Sequence, residues 1–415
     1  MTCNKNLRTK GWKPTMYSLC RYNFCFVGEM RIVVNKKAMR IFILAVAIAV
    51  IAVSFISFTG CAGVDRSDDD TILIGVLGPF SGSEAAYGDD MYRSYQLACD
   101  EINAGGGILG RKLQLFKADD ACDQTTAVQA ASKIIAKDVD FVVGGYASGV
   151  TIPTLSMFKE ENLLMLVSAA NSTRITEQGC EQTFMINSPG SHAAVTLSDL
   201  CVSLGSKKVV LIHQQEDYSQ NLADLCKAEL PKHNIAVVGE EVMPRGTPDV
   251  SDIATSIKNS GADFVYWCGY HDDGSKIIRK LREIGYTGNI AVGDGSADFA
   301  LIEFCGTAGE GIYVTSPPFV EFAEGGEKFI NDYKAKFNTD PGTYATLSYD
   351  TIYLLKAAVE KANSLETAKV CDALKDIEHK GLSGLITFNS NRELAVSNFI
   401  VLQIENGKFQ LVDID

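Results

Sequence analysis

From Thr71 onward the chain repeats one pattern: a short β-rich apolar run, then a stretch whose apolar residues recur at helical spacing. ILIGVLGPF, KLQLFKA, DFVVGG, LLMLVSAA, KVVLIHQ, AVVGEEV, DFVYWCG, NIAVGD and GIYVTSP are the runs. Between Thr125 and Lys137, Val128, Ala131, Ile134 and Ile135 recur at three- and four-residue intervals, while Lys133 and Lys137 fall off that face. Strand and helix in alternation predict an α/β fold of mainly parallel sheets with helices on both faces. Strands so covered are expected to be buried on both sides. The body of roughly 345 residues exceeds the ~250–300 at which a single core stops growing, so two lobes are expected.

The first sixty residues behave differently. They hold nine of the 38 Lys and Arg residues and one of the 51 acids, which leaves 29 bases against 50 acids from Cys61 on, a formal charge of −21. A body so acidic is repelled by nucleic acid, and a nucleic-acid function is excluded on that ground. Arg31, Lys36, Lys37 and Arg40 precede the uncharged apolar run Ile41 to Thr59, the order of an export signal. Its length is close to the ~20 residues that span a bilayer, so a cleaved signal and a retained anchor both fit. Phe58-Thr59-Gly60-Cys61 then resembles a bacterial lipobox, with Phe58 bulkier than the usual Leu, and makes Cys61 the candidate lipidated N-terminus. Met30 and Met39 are alternative starts. The expected organisation is an extension and signal over 1–60, a small acidic tether over 61–70 and the folded body after it, exported and held at the periplasmic or cell-surface side of the membrane by lipid.

Ligands in parallel α/β folds lie beyond the carboxyl ends of the strands, where helix N-termini expose N–H groups. Several runs end there in small or polar residues: Gly144-Gly145-Tyr146-Ala147-Ser148, Ser168-Ala169-Ala170-Asn171, Gly269-Tyr270 and Gly293-Asp294-Gly295-Ser296. Each alone reads equally well as a turn or helix cap; four together point to a shared cleft.

GPFSGSEAAYGDDM, INAGGGILGRKLQLFKADDACD, VVGGYASGVTIP and DFVYWCGYHDDGSKIIRKLREIGYTGNIAVGDG resemble the periplasmic leucine/isoleucine/valine-binding proteins of ABC import systems, from about Thr71 to Pro317 and more loosely beyond. The resemblance implies a type I periplasmic-binding fold: two α/β lobes joined by a three-crossing hinge, lobe one being 71–189 with 318–395 and lobe two 190–317 with 396–415. It implies capture of an amino acid, branched-chain first, for an ABC importer permease, by a monomer without catalysis or cofactor. By the same resemblance Ser148 donates to the ligand carboxylate, and the backbone of Ala169, Ala170 and Asn171 holds carboxylate and amino group, with Asn171 where the family has threonine. Asp294 stands for the family's glutamate at the α-ammonium. Tyr270 stands beside it, Tyr218 in the lobe-two wall and Tyr87 at the side-chain pocket, which Tyr146 and Ala147 also face. As residues alone, Tyr87 and Tyr218 have packing aromatics as their alternative, and Asp294 within Gly-Asp-Gly reads as a turn residue.

Beyond Cys61 the body keeps Cys99, Cys122, Cys180, Cys201, Cys226, Cys268, Cys305 and Cys371, without a C-x-x-C. Cys122 matches a family cysteine whose bridge partner is here Ala147, so that bridge is absent. For an enzyme the pattern offers little: no H-E-x-x-H, G-x-S-x-G or P-loop occurs, and His192, His213, His233, His271 and His379 lack metal spacing. Two alternatives keep the fold: a ligand-sensing lobe of a signalling system, and a receptor for a non-amino ligand such as an amide or aromatic acid.

Overall fold

The computed structural model describes residues 70–414. In it the strands form two main sheets. β1 (Thr71–Gly78), β2 (Lys112–Asp119), β3 (Phe141–Gly144), β4 (Met165–Val167) and β5 (Thr183–Met185) build the first, parallel throughout, in the order β2-β1-β3-β4-β5. β6 (Lys208–His213), β7 (Ala236–Val242), β8 (Phe264–Trp267), β9 (Asn289–Val292) and β10 (Tyr313–Ser316) are the parallel part of the second. After a small hairpin of β11 (His379–Gly381) and β12 (Gly384–Ile386), β13 (Ile400–Glu405) and β14 (Lys408–Val412) add antiparallel to β10, giving β14-β13-β10-β9-β8-β6-β7. This is the two-sheet α/β architecture expected from the alternation.

The central strands β3 and β8 are buried along their whole length, as parallel strands between helix layers must be. β7 departs from the two-sided burial expected of the apolar runs: it is an edge strand, and Val238 and Val242 are exposed. The helix Gln124–Ala136 also differs in detail from its apolar spacing. It buries Ala127, Ala130, Ala131 and Ile134, while Val128 lies at the surface. The small alanines let the helix sit close to the sheet, where a side-chain carbon added to Gly75 would lie 2.7 Å from Ile134 Cγ2.

The chain passes from the first sheet to the second through the helix Gly190–Ser203. It returns after β10 in the helices Gly326–Phe337, Ala345–Ala362 and Thr367–Lys375, and goes back to β13. The helix Ala345–Ala362 packs on the helix Ala85–Ala104, where Tyr349 and Tyr353 both donate to Glu101 Oε2. Residues distant in sequence thus complete the first layer, and β13–β14 the second.

Among the described residues the eight cysteines are all free, and Cys122 is the one not fully buried. Burial pushes its thiol up to about 12. Among the described residues no helix is long and apolar enough to cross a membrane. The run Ile41 to Thr59, Cys61 and nearly all of the tether lie outside the described residues.

Candidate functional site

β1 and β3 end at the same level, and Gly144 closes β3 with φ +120°; a side-chain carbon there would lie 2.0 Å from Leu77 O, so only glycine can make this exit. The next turn delivers Tyr146 and starts the helix Ser148–Glu160, which begins at Ser148 itself. Ser148 is buried, and its Oγ accepts from Ser172 N at 3.2 Å. The opening N–H groups of such a helix have no partner inside it and carry its positive end.

After β4 the chain turns through Ala169, Ala170 and Asn171. Here the backbone differs from expectation. The N–H groups of Ala169 and Ala170 both donate to Gly145 O (3.3 and 2.9 Å), and Ala169 O accepts from Asn187 Nδ2 at 2.7 Å. Those two N–H groups therefore hold the loop's own shape, and the Ser148 hydroxyl and the start of its helix remain as donors for an anion.

From the second sheet, the turn after β9 presents Asp294, 3% exposed. Its Oδ1 accepts from Tyr218 hydroxyl at 2.8 Å; its Oδ2 accepts from Asn171 Nδ2 at 2.9 Å and Asn187 Nδ2 at 3.4 Å. Tyr218 lies in the first turn of the helix Asp217–Glu229, and its hydroxyl also accepts from Gly295 N at 2.8 Å. Burial raises the Asp294 carboxyl to about 6, and the three side-chain donors hold it from going higher. Among the described residues it is a buried carboxylate with donors but no cation of its own.

Tyr146, Ser148, Ala169, Ala170, Asn171, Tyr218, Tyr270 and Asp294 line one cavity together with Gly295 and Tyr344. The space is about 10 Å³, on the order of one water. The Tyr344 hydroxyl donates to Asp294 O at 3.3 Å, and the Tyr270 ring lies 5.5 Å from that of Tyr218. Tyr270 caps the helix His271–Glu283, and its carbonyl accepts from Trp267 Nε1 at 3.0 Å. Tyr87 stands one layer back, stacked on Tyr146 (ring centroids 5.0 Å apart) with its hydroxyl 2.9 Å from His271 Nδ1. Ala147 faces a larger, open depression of about 590 Å³, which shares Tyr218 and Tyr270 with the cavity and also holds Cys122, Glu216 and Arg245.

Several residues at this site carried no sequence signal. Asn187 follows β5, a strand too short to stand out. Tyr344 opens a helix far along the chain. Glu84 lies inside the GPFSGSEAAYG stretch, next to Tyr87, but nothing there marks it as buried. It is 2% exposed, accepts from Tyr146 hydroxyl at 3.0 Å, and is ion-paired with Arg245, whose guanidinium also lies 5.1 Å from the Tyr270 ring centre. Arg245–Glu84, Tyr87–His271, Asn171–Asp294 and Arg174–Asp217 (3.0 Å) all tie residues of the first-sheet half to residues of the second. Polar bridges thus close the cleft.

The arrangement offers an anion-binding helix start opposite a desolvated carboxylate, complementary to a small zwitterion. Among the described residues no group of three or more His, Cys, Asp or Glu side chains is placed to hold a metal.

A sequence profile of the periplasmic binding protein family matches residues 71–408. An amino acid binding protein of Pseudomonas aeruginosa is 30% identical over 383 residues, covering 90% of this chain and 99% of the relative. A Leu/Ile/Val-binding protein of Rhizobium johnstonii is 33% identical over 346 residues, 81% of this chain and 92% of the relative. Among solved structures, the branched-chain amino acid transporter substrate-binding protein of Streptococcus pneumoniae in complex with isoleucine superposes with a TM-score of 0.74 at 26% identity, covering 82% of this chain and 99% of that one.

Proposed function

The chain belongs to the periplasmic binding protein family, and from that premise we propose that it captures an α-amino acid outside the cytoplasmic membrane for an ABC importer, without catalysing a reaction. The branched-chain class of its named relatives is the starting expectation. The observation that carries this reading is Asp294: a buried carboxylate, without a cation partner among the described residues, lining one small cavity with Ser148. The α-ammonium pairs with Asp294, and the α-carboxylate takes the Ser148 hydroxyl and the first N–H groups of its helix. Because these groups come from both sheets, the polar bridges across the cleft must part for entry, and the ligand favours the closed arrangement by its differential affinity for it. A permease then reads closure. Lobe boundaries near 189, 317 and 395 are part of the same proposal, supported by the chain's passages between the two sheets.

A thermal-shift screen of the body against the amino acids tests this, since a bound ligand raises apparent stability with the logarithm of its excess over Kd. Acidification supplies the signature. An ammonium ligand needs ionised Asp294, so affinity should hold above pH 6 and fall below it by up to about tenfold, or ~1.4 kcal/mol, per pH unit. Without ligand the sign reverses: the folded carboxyl sits above its unfolded value of 3.8, so its contribution to stability is present at low pH and lost as pH rises through about 6. Affinity that is flat from pH 7 to 5 would remove Asp294 from the ammonium site.

The anchoring belongs to the same proposal. Phe58-Thr59-Gly60-Cys61 behind an export helix supports lipid attachment at Cys61. Mass spectrometry of the membrane fraction from a bacterial host should find an N-terminal lipidated Cys61, and an intact N-terminus upstream of it would refute this.

A further inference from the structure

Two ion pairs span the cleft, and they run in opposite senses. The first-sheet half gives the acid Glu84 to Arg245 of the second, and the base Arg174 to Asp217 of the second at 3.0 Å. Arg174, Asp217 and Arg245 all line the open depression of about 590 Å³. Within its own half Glu84 accepts from two hydroxyls, Ser83 at 3.1 Å and Tyr146 at 3.0 Å, and its cation arrives from across the cleft. Asp217 has a second attachment to the far half. A side-chain carbon on Gly149 would lie 3.0 Å from its Oδ2, so this carboxylate rests on the first turn of the helix Ser148–Glu160, whose positive end favours it. Arg174 supplies the offsetting charge, so the helix start still accepts a ligand carboxylate. Neutral bonds follow the same path: Thr173 N donates to Asn221 Oδ1 at 3.1 Å, and Asn221 Nδ2 donates back to Thr173 Oγ1 at 3.1 Å. Each such contact shifts an equilibrium by roughly a few-fold, and here they act in one direction. Because the two ion pairs have opposite polarity, halves that met out of register would bring like charges together.

We propose that Glu84–Arg245 and Arg174–Asp217 form a latch that draws the two halves shut whether or not ligand is bound, and so scales the affinity for every ligand by one common factor. The proposal rests on the lobe-closure reading above and deepens it. No atom of a ligand takes part in these pairs. The four residues are positioning residues, which act through the closed fraction and leave discrimination between ligands to the groups that touch them.

The segment Asp68–Asp415 is a compact unit with its own cores, so it serves as the sample. X-ray scattering of the ligand-free parent should give a closed form, with a radius of gyration that an excess of leucine, isoleucine or valine leaves nearly unchanged. Arg245→Gln and Asp217→Asn, alone and together, should expand the ligand-free protein. Together they should raise the Kd for all three amino acids by the same factor, on the order of tenfold, since the apparent Kd is the intrinsic one divided by the closed fraction. The ratios among the three should not move, whereas loss of a ligand contact would change them. Circular dichroism checks folding, and Asp217→Asn, which breaks the half-buried pair alone, carries the test if Arg245→Gln does not fold. A ligand-free parent as expanded as the variants, or variants whose ratios among the three amino acids change, would overturn the latch and leave the amino-acid reading intact. Binding of none of the three would count against the amino-acid reading, while scattering of the ligand-free proteins would still decide the latch.

Discussion

Asp294→Asn is expected to weaken binding of the preferred amino acid by about 2–5 kcal/mol, the range for truncating one partner of a buried hydrogen-bonded charge pair. The ammonium then loses its counter-charge, and the site loses acceptors as well. Tyr218, Asn171 and Asn187 all donate to this carboxyl, so the amide nitrogen of the replacement would face a donor unless a neighbouring amide turns over. Ser148→Ala removes one donor to a carboxylate that the helix start also serves, so its cost should be smaller, on the order of 1.5–3 kcal/mol. Titration of both variants gives the order directly. An Asp294→Asn protein that binds as well as the parent would exclude the ammonium role and bring forward a ligand without an amino group.

The second large effect falls on stability. Trp267 ends β8 with no exposed surface, and it shapes the turn that carries Tyr270. Its Nε1 holds Tyr270 O, and its ring fills the space beside Gly269 and Gly274, where added side-chain carbons would lie 2.4 and 2.7 Å from its atoms. Trp267→Ala should cost about 3–5 kcal/mol, the usual range for emptying a tryptophan-sized core site. Urea unfolding followed by circular dichroism measures it, and a loss under about 1 kcal/mol would mean that the second-sheet core collapses around the gap. Surviving protein should also bind ligand more weakly, because the Tyr270 turn loses its support.

Much of the architecture is legible in the sequence because parallel strands buried between helices carry dense, local apolar signals. All nine of the β-rich runs read from the sequence are strands, and the two-sheet α/β fold follows from their alternation. Less was legible where the signal is short or its meaning depends on distant packing. β5 has three residues, and β13 and β14 join antiparallel after a long helical excursion. Val128 fits an apolar stripe on paper, but the helix turns its alanines to the sheet. The site divides in the same way. Ser148, Asn171 and Asp294 lie at strand exits, where composition marks a cleft. Glu84, Arg245 and Tyr344 acquire their positions only through tertiary contact, and a lone Glu before two alanines reads as an exposed helix start until Tyr146 and Arg245 are placed against it.

The late arrival of β13 bears on how the chain is made and exported. β10 takes β13 as its outer neighbour, with the helices Gly326–Phe337, Ala345–Ala362 and Thr367–Lys375 synthesised between them. Until Ile400–Glu405 has emerged, β10 presents an unpaired backbone edge, and its pairing carries the long loop-closure cost of non-local contacts. A nascent chain therefore remains incompletely folded through most of its synthesis, which suits threading across a membrane. The same delay makes a chain interrupted before Ile400 a template for pairing with other chains, a liability that holdase chaperones at the exit side would have to cover.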